Sequence, residues 1–198
     1  ARLSQTGVSN QLLVETAAAT NSAQVSYKKG TPGAAPTDYT TGRIADWAFN
    51  GTAVDSVGAF NGTLAGTTSY NTTGGRVSSN QVLEFEGAGR VSVANAAGLR
   101  PTTFTVSLWM RANNVQKTGA TVLSKTHTNN TGTQKQTYGF EFDAAGNIIF
   151  ATGITGVQDK LASATPVRLN SWVHVVGVYE PGGAAPQKRL YINGVLSG

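Results

Sequence analysis

The sequence predicts an all-β protein with the architecture of an antiparallel sandwich or jelly roll. Many short segments alternate apolar and polar residues, and turn signals rich in Gly, Asn and Asp separate them at intervals of about ten residues. No segment of the 198-residue chain sustains the helical spacing of apolar side chains. These features favour strands over helices along most of the chain.

The clearest hairpin spans residues 171–194, SWVHVVGVYEPGGAAPQKRLYING. An apolar run leads into a loop of Pro, Gly and Ala, and a short alternating strand then ends at the turn signal Asn193-Gly194. Because both faces of the first strand are apolar, we expect it to lie inside a sheet and not at an edge. His174 lies between two valines of this strand, and we expect it to be buried, with its ring nitrogens bonded to backbone groups.

Similar apolar patterns predict further strands within the ranges 44–49, 82–86, 90–94, 103–110, 122–123, 138–142 and 147–151. Short connections that contain Gly or Asp predict two hairpins, one between residues 82 and 94 and one between residues 138 and 151. A polar loop is expected over residues 126–136. The tryptophans of the strand motifs are expected to lie in the core, and they are Trp47, Trp109 and Trp172.

The first 42 residues differ from the rest of the chain. Residues 12–15 and 23–28 each predict a short strand, whereas residues 31–41, TPGAAPTDYTT, have the composition of a linker without periodicity. We therefore predict an N-terminal extension with its linker over residues 1–42 and one sandwich domain over residues 43–198.

The composition limits the classes of function. Cysteine is absent, which excludes disulfides and thiolate metal sites, while abundant Thr, Ser, Asn, Gly and Ala with few charges are typical of secreted bacterial β-proteins. We accordingly expect an extracellular or cell-surface location. The net charge of +5 is scattered, so no basic stripe indicates nucleic-acid binding, and no apolar run is long enough to predict a membrane span.

A set of motifs in the second part of the chain resembles a known family. The pair W-V-H-V-V-G-V-Y and L-Y-I-N-G is similar to a signature of laminin-G-like domains of the concanavalin A-like lectin/glucanase group. This resemblance spans residues 44–194 and implies a concanavalin A-like antiparallel β-sandwich, or jelly roll, behind the N-terminal extension. The other motifs follow in the order that such domains show: W-A-F-N-G at 47–51, D-S-V-G at 55–58, G-G-R-V at 74–77, L-E-F-E-G at 83–87, F-T-V-S-L-W at 104–109 and L-S-K at 123–125.

The family pattern also raises an expectation about the last strands. Such domains continue past L-Y-x-N-G through a strand with an acidic motif, whereas this sequence stops at Gly198. The strand over residues 188–193 would then have an unpaired edge, which natural proteins rarely leave open. We expect this edge to be covered by an N-terminal strand of the same chain or by a strand from a neighbouring subunit.

The resemblance implies two kinds of chemistry to test. Glucanases of the group place carboxylates on one strand as E-x-D-x-E, and the nearest match, Glu141-Phe142-Asp143, lacks the third carboxylate, so we do not expect an enzyme. Lectin-like sandwiches often hold calcium, and Asp55 and Glu86 match acidic positions of the family. A calcium site at these residues therefore stands beside the alternative that Asp55 bonds its own backbone turn.

The sequence also offers a polar platform for a sugar ligand. The candidate ligand-binding residues lie in and just after the 126–136 loop, and they are His127, Asn129, Asn130, Gln134 and Tyr138. We expect a secreted, non-enzymatic recognition or adhesion module for a glycan or cell-surface polysaccharide. One alternative is a structural subunit of an extracellular filament or surface assembly with a strand-donating partner chain, and a further alternative is a degenerate polysaccharide hydrolase.

Overall fold

A computed structural model describes residues 2–5, 11–15, 23–26, 42–76, 81–114, 116–128, 134–154, 157–182 and 187–198. Thirteen strands and one short 3-10 helix are formed in this described part, and none of its helices has the length and apolar content to cross a membrane. The chain divides into two compact units, residues 1–43 and 44–198.

The first unit contains a small antiparallel sheet of three strands, β1 (Arg2–Gln5), β2 (Gln11–Glu15) and β3 (Ala23–Ser26), in the order β1-β2-β3. Leu12 lies opposite Val25 in the β2–β3 register. The strands predicted within residues 12–15 and 23–28 are confirmed, and β1 is an additional strand that was not predicted.

The second unit is a sandwich built from two four-stranded antiparallel sheets and one two-stranded hairpin. The sheet orders are β10-β9-β8-β7, β13-β12-β11-β6 and β4-β5. Antiparallel order brings sequence neighbours together through short turns, as the many turn signals predict. Its strands are β4 (Gly62–Asn71), β5 (Val82–Val93), β6 (Phe104–Met110), β7 (Thr121–Thr128), β8 (Gln134–Phe142), β9 (Ile148–Ile154), β10 (Val157–Ala162), β11 (Val173–Tyr179), β12 (Lys188–Ile192) and β13 (Val195–Leu196).

Alternation along the strands selects the side chains that fill the core between the sheets. The cluster of buried residues is drawn from both sheets and two connections, and its members are Ala112, Phe140, Phe142, Ile148, Phe150, Val167, Val173, Val175 and Leu190. Gly177 of β11 belongs to the same inward face, and a methyl group there would lie 2.8 Å from the ring of the fully buried Phe150. The glycine therefore provides the space that the phenyl ring fills. Because the buried cluster lies between two antiparallel sheets, the predicted sandwich is confirmed.

The hairpin of β11 and β12 agrees with the sequence pattern, and β11 lies between β6 and β12 as expected. The prediction for the outer edge of β12 was wrong. Tyr191 and Ile192 pair with β13, and Leu190 exchanges backbone hydrogen bonds with Ser197 and Gly198. The segment that follows the Asn193-Gly194 turn therefore pairs with this edge.

The β4–β5 hairpin corrects a second prediction. The hairpin predicted between residues 82 and 94 is not formed, because residues 82–93 are the single strand β5, and Gly87 and Gly89 lie in a bulge opposite Gly66. A Cβ at Gly89 would approach the Thr67 carbonyl oxygen to 2.2 Å, and Gly66 and Gly87 adopt positive φ angles. These glycines allow the backbones of β4 and β5 to approach closely in the bulge. The sequence pattern did not predict the partner strand β4.

Two other local predictions were wrong. Residues 44–49 form no strand, because their polar groups bond to a turn around Asp55: the backbone N–H of Asp46 donates to the Asp55 carboxylate, and the indole of Trp47 donates to the Phe60 carbonyl. The polar loop expected over residues 126–136 is wrong at both of its ends, since β7 continues to Thr128 and β8 begins at Gln134.

Candidate functional site

The predicted sugar-binding residues belong to β7, to β8 and to the stretch of sequence between these two strands. Asn129 and Asn130 lie outside the described residues. His127 and Gln134 belong to the two paired strands, but their side chains also lie outside the described part of the structure. The site predicted at these residues therefore stays a prediction, and Tyr138 is the one member whose side chain lies in the described part of the structure.

Tyr138 is half-buried at the rim of the core. Its hydroxyl donates to the Leu99 carbonyl oxygen at 3.0 Å, and its ring lies 4.7 Å from that of Phe104, between centroids. Burial raises the pKa of the Tyr138 phenol. The hydroxyl thus ties the 3-10 helix at Ala97–Leu99 to the sheet, which is a structural contact.

Replacing Tyr138 with Phe is expected to lower the free energy of unfolding by about 1 kcal/mol, because the Leu99 carbonyl loses its partner while the ring packing is kept. Urea denaturation of the variant and the parent measures this difference. Unchanged stability combined with lost sugar binding would instead place Tyr138 in a ligand site.

Asp55 organises the turn between Ala53 and Asn61. One carboxylate oxygen accepts the backbone N–H groups of Asp46 and Val57, at 2.8 and 2.9 Å, and the other accepts those of Gly58 and Phe60, at 2.9 and 3.0 Å. Burial alone would raise the pKa of Asp55, but these four backbone hydrogen bonds outweigh burial and lower it.

The residues around Asp55 do not fit a calcium site. Both of its oxygens already accept two N–H groups, whereas a calcium ligand must direct its lone pairs at the ion. Glu86 is exposed on β5. Within the described residues, no three His, Asp or Glu side chains gather closely enough to hold a metal ion. Asp55 therefore has the backbone-capping role that the sequence left as the alternative.

The nearest match to a glucanase motif also makes structural contacts. Glu141 accepts a hydrogen bond from the Lys160 ammonium at 2.6 Å. Asp143 closes the β8–β9 turn, where it accepts the backbone N–H groups of Ala145 and Asn147 and the Asn147 side-chain amide at 2.7 Å. Hydrogen bonds from Asn147 lower the pKa of Asp143. Both carboxylates thus have partners within the fold.

A more distinctive surface lies on the other sheet. We call it the outer face and define it by the outward-facing residues Ser107, Trp109, His174, Val176 and Tyr191 of β6, β11 and β12. Their neighbours along each strand point into the core, so alternation directs these side chains to solvent. Trp109 is 45% exposed, which corrects the expectation that it belongs to the core.

His174 is also placed differently from the prediction. It is half-buried on the outer face, where its ring stacks on the Trp109 indole at a centroid distance of 4.8 Å and an angle of 17°. Its Nε2 atom forms a 2.8 Å hydrogen bond with the Ser107 hydroxyl and not with a backbone group. The backbone register explains this, because Trp109 lies directly opposite His174 in the β6–β11 pair.

Two arginines complete this surface. The guanidinium carbon of Arg76 lies 4.4 Å from the Trp109 ring centroid, and that of Arg111 lies 5.8 Å from the Trp172 ring centroid. Trp172 is half-buried, and both arginines are exposed. The alternation of residues 104–110 could have identified Trp109, since it falls on the face opposite Phe104. No local pattern links Arg76 to it, because Arg76 arrives from a distant loop.

The comparisons with known proteins agree with this architecture. The laminin G family model of the concanavalin A-like lectin/glucanases superfamily matches residues 85–198, more than half of the chain. Among solved structures, domain 4 of AbnA, a GH43 extracellular arabinanase from Geobacillus stearothermophilus solved in complex with arabinotriose, is similar with a TM-score of 0.59. That match has 18% sequence identity and covers 78% of this chain and 72% of the other. No curated protein matches. The resemblance predicted from the motifs is confirmed, and the chain belongs to the concanavalin A-like lectin/glucanases superfamily.

Proposed function

We propose that the chain is a secreted, non-catalytic module that binds a glycan on its outer face. The observation that carries this proposal is the exposed Trp109 with Arg76 and His174 against its ring. An aromatic ring supplies apolar contact area, and the neighbouring guanidinium and hydroxyl groups supply the hydrogen bonds that sugar hydroxyls require.

Three further observations support the proposal. Trp109 is a large aromatic side chain that is 45% exposed on a regular sheet, and tryptophan is enriched at interaction surfaces. The structurally similar arabinanase domain was solved with arabinotriose. The composition, rich in small polar residues and free of cysteine, is consistent with a secreted protein.

The non-catalytic part of the proposal rests on the carboxylates. A retaining or inverting glycosidase needs two carboxyl groups that face one glycosidic bond. Glu141 and Asp143 are the pair that comes closest to the glucanase motif. Glu141 is paired with Lys160, and Asp143 accepts hydrogen bonds within the β8–β9 turn. A recognition or adhesion role therefore accounts for the described residues better than hydrolysis.

The test is a binding measurement with the single variant Trp109→Ala. We expect the parent protein to bind at least one polysaccharide in a panel of arabinan, xylan, β-glucan, galactan, polygalacturonate and dextran sulfate. The variant is expected to lose roughly tenfold or more in affinity with its melting temperature nearly unchanged, because the removed ring lies on the surface. Calorimetry or affinity electrophoresis measures the affinity, and reducing-end assays on the same mixtures are expected to stay at background.

Phe85→Ala is the matched control. Phe85 is an aromatic residue with 54% exposure, but it lies on β5 and not on the outer face. Equal losses in the two variants, or no binding to any glycan in the panel, would contradict the proposed binding face. Release of reducing ends that Glu141→Gln abolishes would contradict the non-catalytic role.

A further inference from the structure

The two arginine–tryptophan pairs lie side by side at one end of the outer face. Val173 pairs with Met110 and His174 pairs with Trp109, so Arg111 directly follows the end of β6 and Trp172 directly precedes β11. Trp109 and Arg111 are two residues apart, which corresponds to about 7 Å along an extended strand. Arg76 and Arg111 therefore place two guanidinium groups over neighbouring positions of the same surface.

The charges of these two arginines are not balanced by an acidic partner in the part of the chain that the structure describes. Neither Arg76 nor Arg111 forms an ion pair within the described residues. The acidic residue at the far end of β11, Glu180, is already paired with Arg189. The outer face consequently presents an unbalanced positive charge, in a chain whose net charge is +5.

The geometry of the pairs makes both guanidinium groups suitable for anions. A guanidinium that packs on an indole is held by the ring, and its N–H groups stay available at the planar edge. That edge matches the two oxygens of a carboxylate or a sulfate with parallel hydrogen bonds. Two such groups on one surface would suit a ligand with repeated acidic groups.

We infer that the glycan bound on the outer face is acidic and carries carboxylate groups of uronic acids or sulfate esters. This inference rests on the proposed glycan-binding function and adds the chemical class of the ligand. Arg76 and Arg111 bind the acidic groups, and Trp109 and Trp172 hold the two guanidinium groups in place. Screening by salt then weakens the complex.

The experiment compares ligands that differ only in charge. Polygalacturonate is set against its methyl ester for the carboxylate, and dextran sulfate is set against dextran for the sulfate. We expect the parent protein to bind at least one acidic polymer about tenfold or more tightly than its neutral partner, with an affinity that falls as salt is added. The preferred acidic polymer identifies which of the two anions is recognised.

The variant for this experiment is the double substitution Arg76→Gln with Arg111→Gln. It is expected to lose roughly tenfold or more in affinity for the acidic polymer and most of the salt dependence, while its melting temperature stays close to that of the parent. Arg90→Gln is the control, since it removes one exposed positive charge from β5 and should keep the affinity within about twofold.

Each contrary outcome points to a different failure. Binding of neutral polymers that depends on Trp109, with no preference for the acidic partner, would overturn the acidic ligand and leave glycan binding intact. An equal loss in Arg90→Gln would also overturn it, because attraction would then follow net charge and not the two pairs. Absence of binding to every polymer would contradict the proposed function as well.

Discussion

Replacing Gly177 with Ala is expected to lower the free energy of unfolding by about 3 kcal/mol. The added methyl carbon would lie 2.8 Å from two carbons of the Phe150 ring, well inside van der Waals contact. The ring cannot retreat easily, because Phe150 is 0% exposed and packs against Phe140 and Phe104. The backbone of β11 cannot shift either, since hydrogen-bonded strands hold it on both sides. Urea denaturation measures the loss.

A double-mutant cycle separates this clash from a general loss of strand geometry. In the background Phe150→Leu, which has its own cavity cost, the smaller side chain leaves room for the methyl group at position 177. The cost of Gly177→Ala should therefore fall by about 1 kcal/mol or more relative to the parent background. Additive effects of the two substitutions would show that contact with Phe150 is not the cause.

The second large effect is expected for Asp55→Asn, a substitution that keeps the shape of the side chain. The new amide nitrogen would face two backbone N–H groups, those of Gly58 and Phe60 if the remaining oxygen keeps the other two, and a donor cannot accept from a donor. Asp55 is only 6% exposed, so solvent replaces few of the lost bonds. We expect the free energy of unfolding to fall by about 3 kcal/mol at neutral pH.

The pH dependence gives an independent check on Asp55. Its folded pKa is lowered, so the ionised carboxylate stabilises the fold above the unfolded value of about 3.9. This stabilisation is lost as the pH falls through the folded pKa, and the parent and Asp55→Asn should then converge in stability. Glu86→Gln is the control, because Glu86 is exposed, and its effect should stay within about 0.5 kcal/mol at every pH. A difference between the parent and Asp55→Asn that persists unchanged into acid would contradict the assignment.

The strands that the sequence predicted well are those whose alternation is paired across the core. Residues 104–110 and 173–179 each place large apolar side chains on one face, and that face is buried against the opposite sheet. The period of two is a property of the strand itself, so it can be recognised without knowing the partner. It also gives the inward and outward faces correctly once one side is known to be buried.

The strand and hairpin predictions were wrong where one local sequence pattern is compatible with two structures. Gly87 and Gly89 suit a tight turn, but they suit a bulge equally well, and only the partner strand β4 decides between them. Residues 44–49 alternate like a strand, yet the Asp55 turn provides partners for their polar groups. Sequence patterns carry no information about such distant partners, and for the same reason they did not bring Arg76 to Trp109.

Because β6 and β11 alternate strictly, neighbouring positions in the chain point to opposite faces of the sheet. Odd positions of β6 and even positions of β11 make the outer face, while the residues between them make the core. Under the proposed function, substitutions of Ser107, Trp109 or His174 alter ligand preference without disturbing Leu108 or Val175 in the core. Under that proposal, recognition and folding depend on different residues of this sheet, and each can change almost independently of the other.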